Sequence, residues 1–561
     1  MITAAATAAD ERRGLALVVL LALVVAAPSL GNGFAYDDRW IIVENTRVHA
    51  LTHWRSWWTE AYWPRLAPDL YRPLTTTLFA LQWAVGGGAP WVFHAVNITL
   101  HAAVTAAVWQ LARHCVTPPL ALVAAALFAV HPVHVEAVAN GVGQAELSAG
   151  LCIVLAVSWY LRARRRPQGM TRGDVIGLTL LLTVGTLLKE HAIVVPLVWL
   201  IAECTLLRDQ PRGDPARRTL LLASVLCVVV LVALRAAVLH SAGAPVPHPV
   251  LDGRSAPERG LIMLGVLPEL VRVLLWPRRL HADYSPAHID VSAALDPTQL
   301  HGVVLLVAWS LVLALSWRRA PVAAFALLWL AVAWAPTANL VIPSGVLLAE
   351  RALYVPSVAV VLLLAAAWAA WSERRPTPRW PRLSGVLLGA LLLAGVLRSV
   401  HRSAAWRSSE TILWHLWREQ PLSFKAHYAW GAVLFERGDV AGGIREWQMA
   451  IRILPDYHRM HQDLGYRLRD AGRCDLALPS FERAVALGGG LPLARAGVVA
   501  CQLALSRYRV ARDGADAALR AGLDPVWFGA QRRVADSMLV ALDSLRPAPA
   551  AGAPAAPTPR R

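Results

Sequence analysis

The chain has 561 residues, of which 56% are hydrophobic and only 16% charged, and 54 Lys+Arg against 37 Asp+Glu give a formal net charge of +17. A mean hydropathy of +0.46 excludes a disordered chain, a disulfide-stapled secreted scaffold and an ordinary soluble enzyme, leaving a polytopic membrane protein with something attached. The basic residues are nearly all arginine, with lysine only at Lys189 and Lys425. In a membrane protein such an excess reports cytoplasmic loops. It does not imply nucleic acid, because no basic stretch is interleaved with aromatics in a polar domain. The arginine bias points to GC-rich coding and hence to a bacterium.

Apolar stretches near bilayer length fall at about 14–30, 91–112, 117–131, 146–161, 174–188, 191–207, 219–239, 300–317, 321–336, 353–371 and 382–398. The first reads as a retained helix, since more spans follow it. Arginines then set the orientation. Arg12-Arg13, the cluster Arg162, Arg164, Arg165 and Arg166, the cluster Arg208, Arg212, Arg217 and Arg218, the pair Arg318-Arg319 and the run Arg374, Arg375, Arg379 and Arg382 belong in the cytoplasm. Parity makes 261–276 an interfacial helix inside an outer loop of about 240–299. It makes 73–85 an outer-surface or re-entrant helix. About 11 spans result, with the N-terminus inside and everything after 398 outside. The expected localisation is a bacterial inner membrane, with the soluble tail in the periplasm.

The outer loops carry the candidate chemistry. Asp37 and Asp38 are adjacent carboxylates just past the first span. Like charges that close tend to raise one pKa, which suits a general base, although a solvated loop with Asp38 as a helix cap explains them too. His94, Asn97 and His101 share one helical face, a pattern more often used for interhelical hydrogen bonds than for ligands. His131-Pro132-Val133-His134-Val135-Glu136 has the look of a metal box, but the His134–Glu136 spacing and Pro132 break helical ligand geometry, so no metal is expected. Arg72, Lys189-Glu190 and Glu350-Arg351 place charges at the outer membrane level, where they are expensive and by default functional. They are candidates for capturing an anionic phosphate, or they neutralise their neighbours, Lys189 with Glu190 and Arg351 with Glu350. Arg278 and Arg279 are candidates for lipid headgroups. The six cysteines show no CxxC spacing, so neither a disulfide framework nor a zinc site is predicted.

After Arg398 the composition becomes that of mixed-charge helices. Trp430-Gly431, Leu434, Gly443, Trp447 and Ala450 return 34 residues later as Leu464-Gly465, Leu468, Ala477, Phe481 and Ala484. That is the period and small–small–aromatic pattern of a tetratricopeptide repeat. A third, degenerate copy keeps Ala511 and Ala518 but has Val499 where the glycine falls. The expected domains are a transmembrane domain over 1–400, a repeat domain over 401–545 and a disordered Pro/Ala tail over 546–561. The fold class is all-α.

The segments YDD after the first span, YRPLTTTLF, FHAVNITLH, FAVHPVHVEAVANGVGQAEL, LLKEHAIVVPL and LLAERALYVPS, followed by the repeats, occur in that order. Together they resemble the transmembrane and tetratricopeptide-repeat O-mannosyltransferases within the C-type superfamily of polyprenyl-phosphate-sugar-dependent glycosyltransferases. The resemblance covers about 30–545. It implies inverting transfer of mannose or a similar hexose from a polyprenyl phosphate to a protein Ser/Thr hydroxyl. Asp37 is implied as the first carboxylate of the acidic pair and Asp38 as the second. Arg72, Lys189, Glu190, Arg351, His94, His134 and Glu136 are the candidate substrate-binding residues. Beyond the lipid-linked sugar as co-substrate, no cofactor is implied. The expected partners are that donor, membrane lipids and an acceptor protein held by the repeats. One departure is Gln144, where many relatives carry a basic residue. The competing reading is a membrane-anchored repeat scaffold without catalytic activity. A transporter fits less well, since the charges sit at span ends rather than at the midplane.

Overall fold

The computed structural model describes residues 2–64, 70–211, 213–239, 249–251, 253–284, 286, 289, 291–374, 380–488 and 492–545. The tail 546–561, Arg212, Arg375 and Arg379 lie outside them. Among the described residues there is no β-strand, only a bridge between Pro286 and Ile289. The chain divides into two compact units, Met1–Pro421 and Leu422–Arg561. Residues 401–421, expected with the repeats, therefore belong to the first unit.

The first unit contains α1 (Ile2–Ala26), α2 (Trp54–Thr59), α3 (Pro73–Gly86), α4 (Pro90–Arg113), α5 (Pro118–Val130), α6 (Val135–Ala139), α7 (Gln144–Arg164) and α8 (Arg172–Leu188). It continues with α9 (Val195–Cys204), α10 (Pro215–Leu239), α11 (Ala256–Leu275), α12 (Pro297–Arg319), α13 (Pro321–Trp334), α14 (Ser357–Arg374), α15 (Trp380–Ser403) and α16 (Ser409–Glu419). Each of the eleven apolar stretches is a helix. Among the described residues, six helices are long and apolar enough to cross a membrane singly, or seven if the bent pair α5–α6 is counted as one span. The chain is an integral membrane protein. Helices α10 and α12 have only 6% of their apolar windows buried, which leaves leucines and valines for lipid.

The membrane core forms where α4, α5, α7, α8, α9, α13 and α14 meet, around Phe128, Tyr160, Trp199, Phe325 and Trp329. Tyr160 stacks on Trp199 at 5.3 Å. At the arginine end of α7, Arg164 is not a solvated loop charge. It is buried and donates to Glu203 at 2.7 Å and to Asp214 at 3.3 Å. A second core, built on Ile42, Trp57, Phe79 and Phe93, packs the first loop onto α3 and the start of α4. A third packs α11 against Leu280, Tyr284, Ile289, Leu347, Leu348 and Leu353. These two loop cores position the site.

The second unit is a row of helix hairpins: α17 (Phe424–Glu436) with α18 (Val440–Ile453), α19 (His458–Asp470) with α20 (Cys474–Gly488), and α21 (Pro492–Ala504) with α22 (Tyr508–Arg520). A last helix, α23 (Pro525–Ser544), follows. The first helices start at Phe424, His458 and Pro492, and the second at Val440, Cys474 and Tyr508, so the 34-residue period is carried by the hairpins themselves. Phe481 meets Gly465 of its own hairpin and Gly497 of the next, where a Cβ would fall within 2.8 and 2.4 Å of its ring. In the third hairpin the position 34 residues on from Gly465 is Val499, and Gly497 instead makes room for the aromatic of the preceding hairpin. Cys474 and Cys501 form a disulfide between α20 and α21, which their 27-residue separation did not reveal.

Candidate functional site

The first loop is tied down before it reaches the carboxylates. Gly33 N donates to Arg407 O at 2.9 Å, and Asn32 Nδ2 to Ser403 O at 3.2 Å. Tyr36 then takes a left-handed backbone with φ +56°, a conformation that costs a non-glycine residue roughly 1–3 kcal/mol and clusters at functional sites. Two contacts hold it there. Its amide donates to Ser409 Oγ at 3.0 Å, and its ring meets Trp406 edge-on at 6.3 Å.

Past this turn the two carboxylates part. Asp38 is fully buried. Its Oδ2 accepts from Ala35 N at 3.1 Å and Gly141 N at 3.0 Å, and its Oδ1 from Val142 N at 2.7 Å. Burial pushes its carboxyl up to about 7 against the pull of those three N–H groups. Gly141 leaves room for this contact, since a Cβ there would sit a tight 3.1 Å from both carboxylate oxygens. Asp38 thus pins the 140–143 turn to the first loop.

Asp37 faces the other way. Its Oδ2 accepts from Arg351 NH1 at 2.9 Å. The same NH1 lies 3.3 Å from Glu136 Oε1, and Arg351 N donates to Glu136 Oε2 at 2.9 Å. The guanidinium is held more firmly protonated than usual, because Asp37 and Glu136 outweigh its burial. Its sequence neighbour Glu350 turns away. Glu350 Oε1 accepts from His281 N and, at 2.7 Å, from Tyr284 OH, while burial pushes its carboxyl up to about 8. The expected Glu350–Arg351 neutralisation does not occur.

Lys189 and Glu190 do not neutralise each other either. Lys189 pairs with the buried Glu146. Glu190 takes Arg72 Nε at 2.9 Å and Tyr71 N at 3.0 Å, and Arg72 lies over the Tyr62 ring at 5.0 Å. Burial, then the charges of Arg72 and Arg351, hold the Lys189 ammonium well below its ordinary pKa. Arg72, Lys189 and Arg351 are thus within electrostatic reach of one another, each partnered by a carboxylate.

The remaining candidates sit away from this cluster. His94 Nε2 lies 3.3 Å from Gly33 O, Asn97 Nδ2 donates to Val138 O at 3.3 Å and Asn140 O at 2.9 Å, and His101 bridges Tyr354 OH and Ala129 O. That face clamps α4 to the loops, the plainer of its two readings. His134 pairs with Ser357 Oγ at 2.8 Å and packs against Phe128 and Tyr354. It is not brought to the cluster, whereas Glu136 two residues on is. Among the described residues, no group of three or more His, Cys, Asp or Glu is placed to hold a metal ion. The participants missed in the sequence are Glu146 and Tyr62. A lone glutamate in an apolar helix start was a usable signal for the first. Nothing local marked the second.

No family model matches the chain. Curated relatives do. Mouse protein O-mannosyl-transferase TMTC3 is 27% identical over 509 residues, covering 84% of this chain and 54% of that protein. Human protein O-mannosyl-transferase TMTC4 is 28% identical over 483 residues, covering 76% and 64%. The Drosophila melanogaster protein O-mannosyl-transferase Tmtc2 reaches 43% over 188 residues, covering 32% and 20%. The chain spans about half the length of the TMTC3 proteins it matches. Among solved structures, the archaeal oligosaccharyltransferase AglB from Archaeoglobus fulgidus, in complex with an inhibitory peptide and a dolichol-phosphate, superimposes with a TM-score of 0.41. The identity is 14%, covering 70% of this chain and 56% of that one, a likeness too loose to assign roles. By sequence, and in agreement with its ordered motifs, the chain is similar to the TMTC-type protein O-mannosyl-transferases.

Proposed function

We propose that the chain is a membrane glycosyltransferase moving mannose or a similar hexose from a polyprenyl phosphate to a protein Ser/Thr hydroxyl. Transfer inverts the anomeric centre, and Asp37 is the general base. The reading is carried by one observation: Asp37 lies 2.9 Å from Arg351 in a cluster that Arg72 and Lys189 also reach. The acceptor hydroxyl bonds to the anomeric carbon as the bond to the phosphate oxygen breaks. Its proton goes to Asp37, and the electron pair leaves with the lipid monophosphate. Cations at the phosphate stabilise that developing charge without further chemistry. Arg351 is shared between two carboxylates, Asp37 and Glu136. An arriving phosphate competes for it and releases an Asp37 oxygen toward the hydroxyl.

The arginine placement favours an outer-face site, and so does the Cys474–Cys501 disulfide, a bond that persists in oxidising compartments. The repeat unit is then the element available to hold the acceptor protein. The test is transfer from polyprenyl-phosphate mannose to a Ser/Thr peptide by the full chain in detergent, alongside a reporter fused after Leu545. The reading requires transfer and periplasmic reporter activity. A cytoplasmic reporter overturns the orientation, and absence of transfer from every polyprenyl-phosphate hexose overturns the chemistry.

A further inference from the structure

The far end of α7 holds a cavity. The helix has 21 residues and rises about 30 Å. It runs from Gln144, beside the Asp38-pinned turn, to the arginine cluster at Arg164. There α4, α7 and α8 leave a cavity of about 580 Å³, with Trp109, Leu155, Trp159 and Leu181 as its apolar wall and Arg113, His114 and Arg162 among its polar lining.

The walls are fixed by packing. Trp159 Nε1 donates to Asp174 Oδ1 at 2.7 Å, and its ring fills the space over Gly177, where a Cβ would come within 2.2 Å of it. Trp109 is buried under the Arg113 guanidinium, 4.9 Å from its ring.

The charge at this end is positive in surplus. The carboxylates facing it are Glu11, which pairs with Arg113, and Asp174, which takes Arg166 at 2.6 Å. Arg165 NH1 donates to His114 O at 2.8 Å. Arg162 is exposed and has no ion pair among the described residues. His114 reports the resulting potential: burial first, then Arg165, Arg113 and Arg162, push its pKa down to about 4. A fixed aromatic–aliphatic wall below a cationic mouth, at the level where spans end in arginine, matches the two halves of an anionic lipid.

We propose that this cavity binds an anionic phospholipid, its headgroup phosphate at Arg162 and Arg113 and an acyl chain along Trp109, Leu155 and Leu181. The site lies at the opposite end of α7 from Asp37 and does not depend on the transfer reaction.

The test is thermal unfolding of the purified full chain in detergent. It is titrated with dioleoylphosphatidylglycerol, dioleoylphosphatidylcholine or inorganic phosphate, for the wild type, Arg162→Ser, and Arg162→Ser with Arg113→Gln. Phosphatidylglycerol should stabilise the wild type, with half-effect concentrations rising about 5-fold for each arginine removed. Phosphatidylcholine and inorganic phosphate should not stabilise it. Leu181→Trp, which fills the cavity from a half-buried position and keeps both arginines, should also lose the response. Equal stabilisation by phosphatidylcholine, an unchanged response in the double variant, or equal protection by inorganic phosphate would each overturn the proposal.

Discussion

Arg351 NH1 meets Asp37 Oδ2 at 2.9 Å across 314 residues of chain. The pair joins the loop after α1 to the loop before α14, and Glu136 closes it from a third direction. Removing the guanidinium would strand two carboxylates beside each other and take a donor from the site. A charge-assisted hydrogen bond contributes about 1.5–3 kcal/mol, so Arg351→Met should lower transfer efficiency roughly 10- to 150-fold. Adding Glu350→Gln should not rescue it, because Glu350 pairs with His281 and Tyr284 instead. Rescue by that double variant would restore plain charge balance as the role of Arg351.

Lys189 offers a sharper separation of folding from function. Its ammonium is buried against Glu146. Breaking a buried pair from one side costs about 3–5 kcal/mol, so Lys189→Met should unfold at clearly lower temperature. Lys189→Met with Glu146→Gln should recover most of the stability. If Lys189 faces the donor phosphate, that double variant stays slow in transfer assays, whereas full recovery of both properties assigns the lysine a structural role alone.

Glu350 gives a pH signature. Burial raises its carboxyl to about 8 in the folded chain, above the ordinary carboxyl value of about 4.3. A raised folded value contributes stability that is present below the unfolded value and lost as pH rises through the folded one. Glu350→Gln keeps an oxygen for His281 N and Tyr284 OH but cannot ionise. Between pH 6 and pH 9 the wild type should therefore lose more Tm than the variant does. Parallel curves would show that Glu350 does not titrate in that window.

Asp38→Asn should damage the fold more than its exposed position in a loop sequence suggests. The amide presents an N–H to at least one of the donors at Ala35, Gly141 and Val142 that the carboxylate now satisfies. An unsatisfied buried group costs about 1–3 kcal/mol, and thermal unfolding should register it. Transfer should fall only as far as folding does. A stable but inactive Asp38→Asn would move the chemistry from Asp37 to its neighbour.

What the sequence revealed and what it hid divide along physical lines. Local periodic features were legible. The eleven apolar stretches are helices, the 34-residue period is a row of hairpins, and the His94–Asn97–His101 face hydrogen-bonds α4 to neighbouring loops and helices. Ion-pair partners were not legible, because adjacency suggests Lys189 with Glu190 and Arg351 with Glu350. The fold instead chooses Glu146, Arg72 and Asp37 from other elements. Likewise, the two members of Asp37-Asp38 look equivalent in sequence. The left-handed turn at Tyr36, which no local signal marks, sends one into the backbone and the other to Arg351. Hydropathy ends near 400, yet the first unit runs to Pro421, because Asn32 and Gly33 hold Ser403 and Arg407 to the first loop.

Removal of the acceptor proton by Asp37 is read from the turnover of Asp37→Asn under saturating donor. The substitution keeps size and an oxygen for Arg351 but removes the base, so turnover should fall by about 10²–10⁴-fold while thermal unfolding stays near the wild type. Undiminished transfer from polyprenyl-phosphate mannose by a folded Asp37→Asn protein would show that Asp37 is not the base.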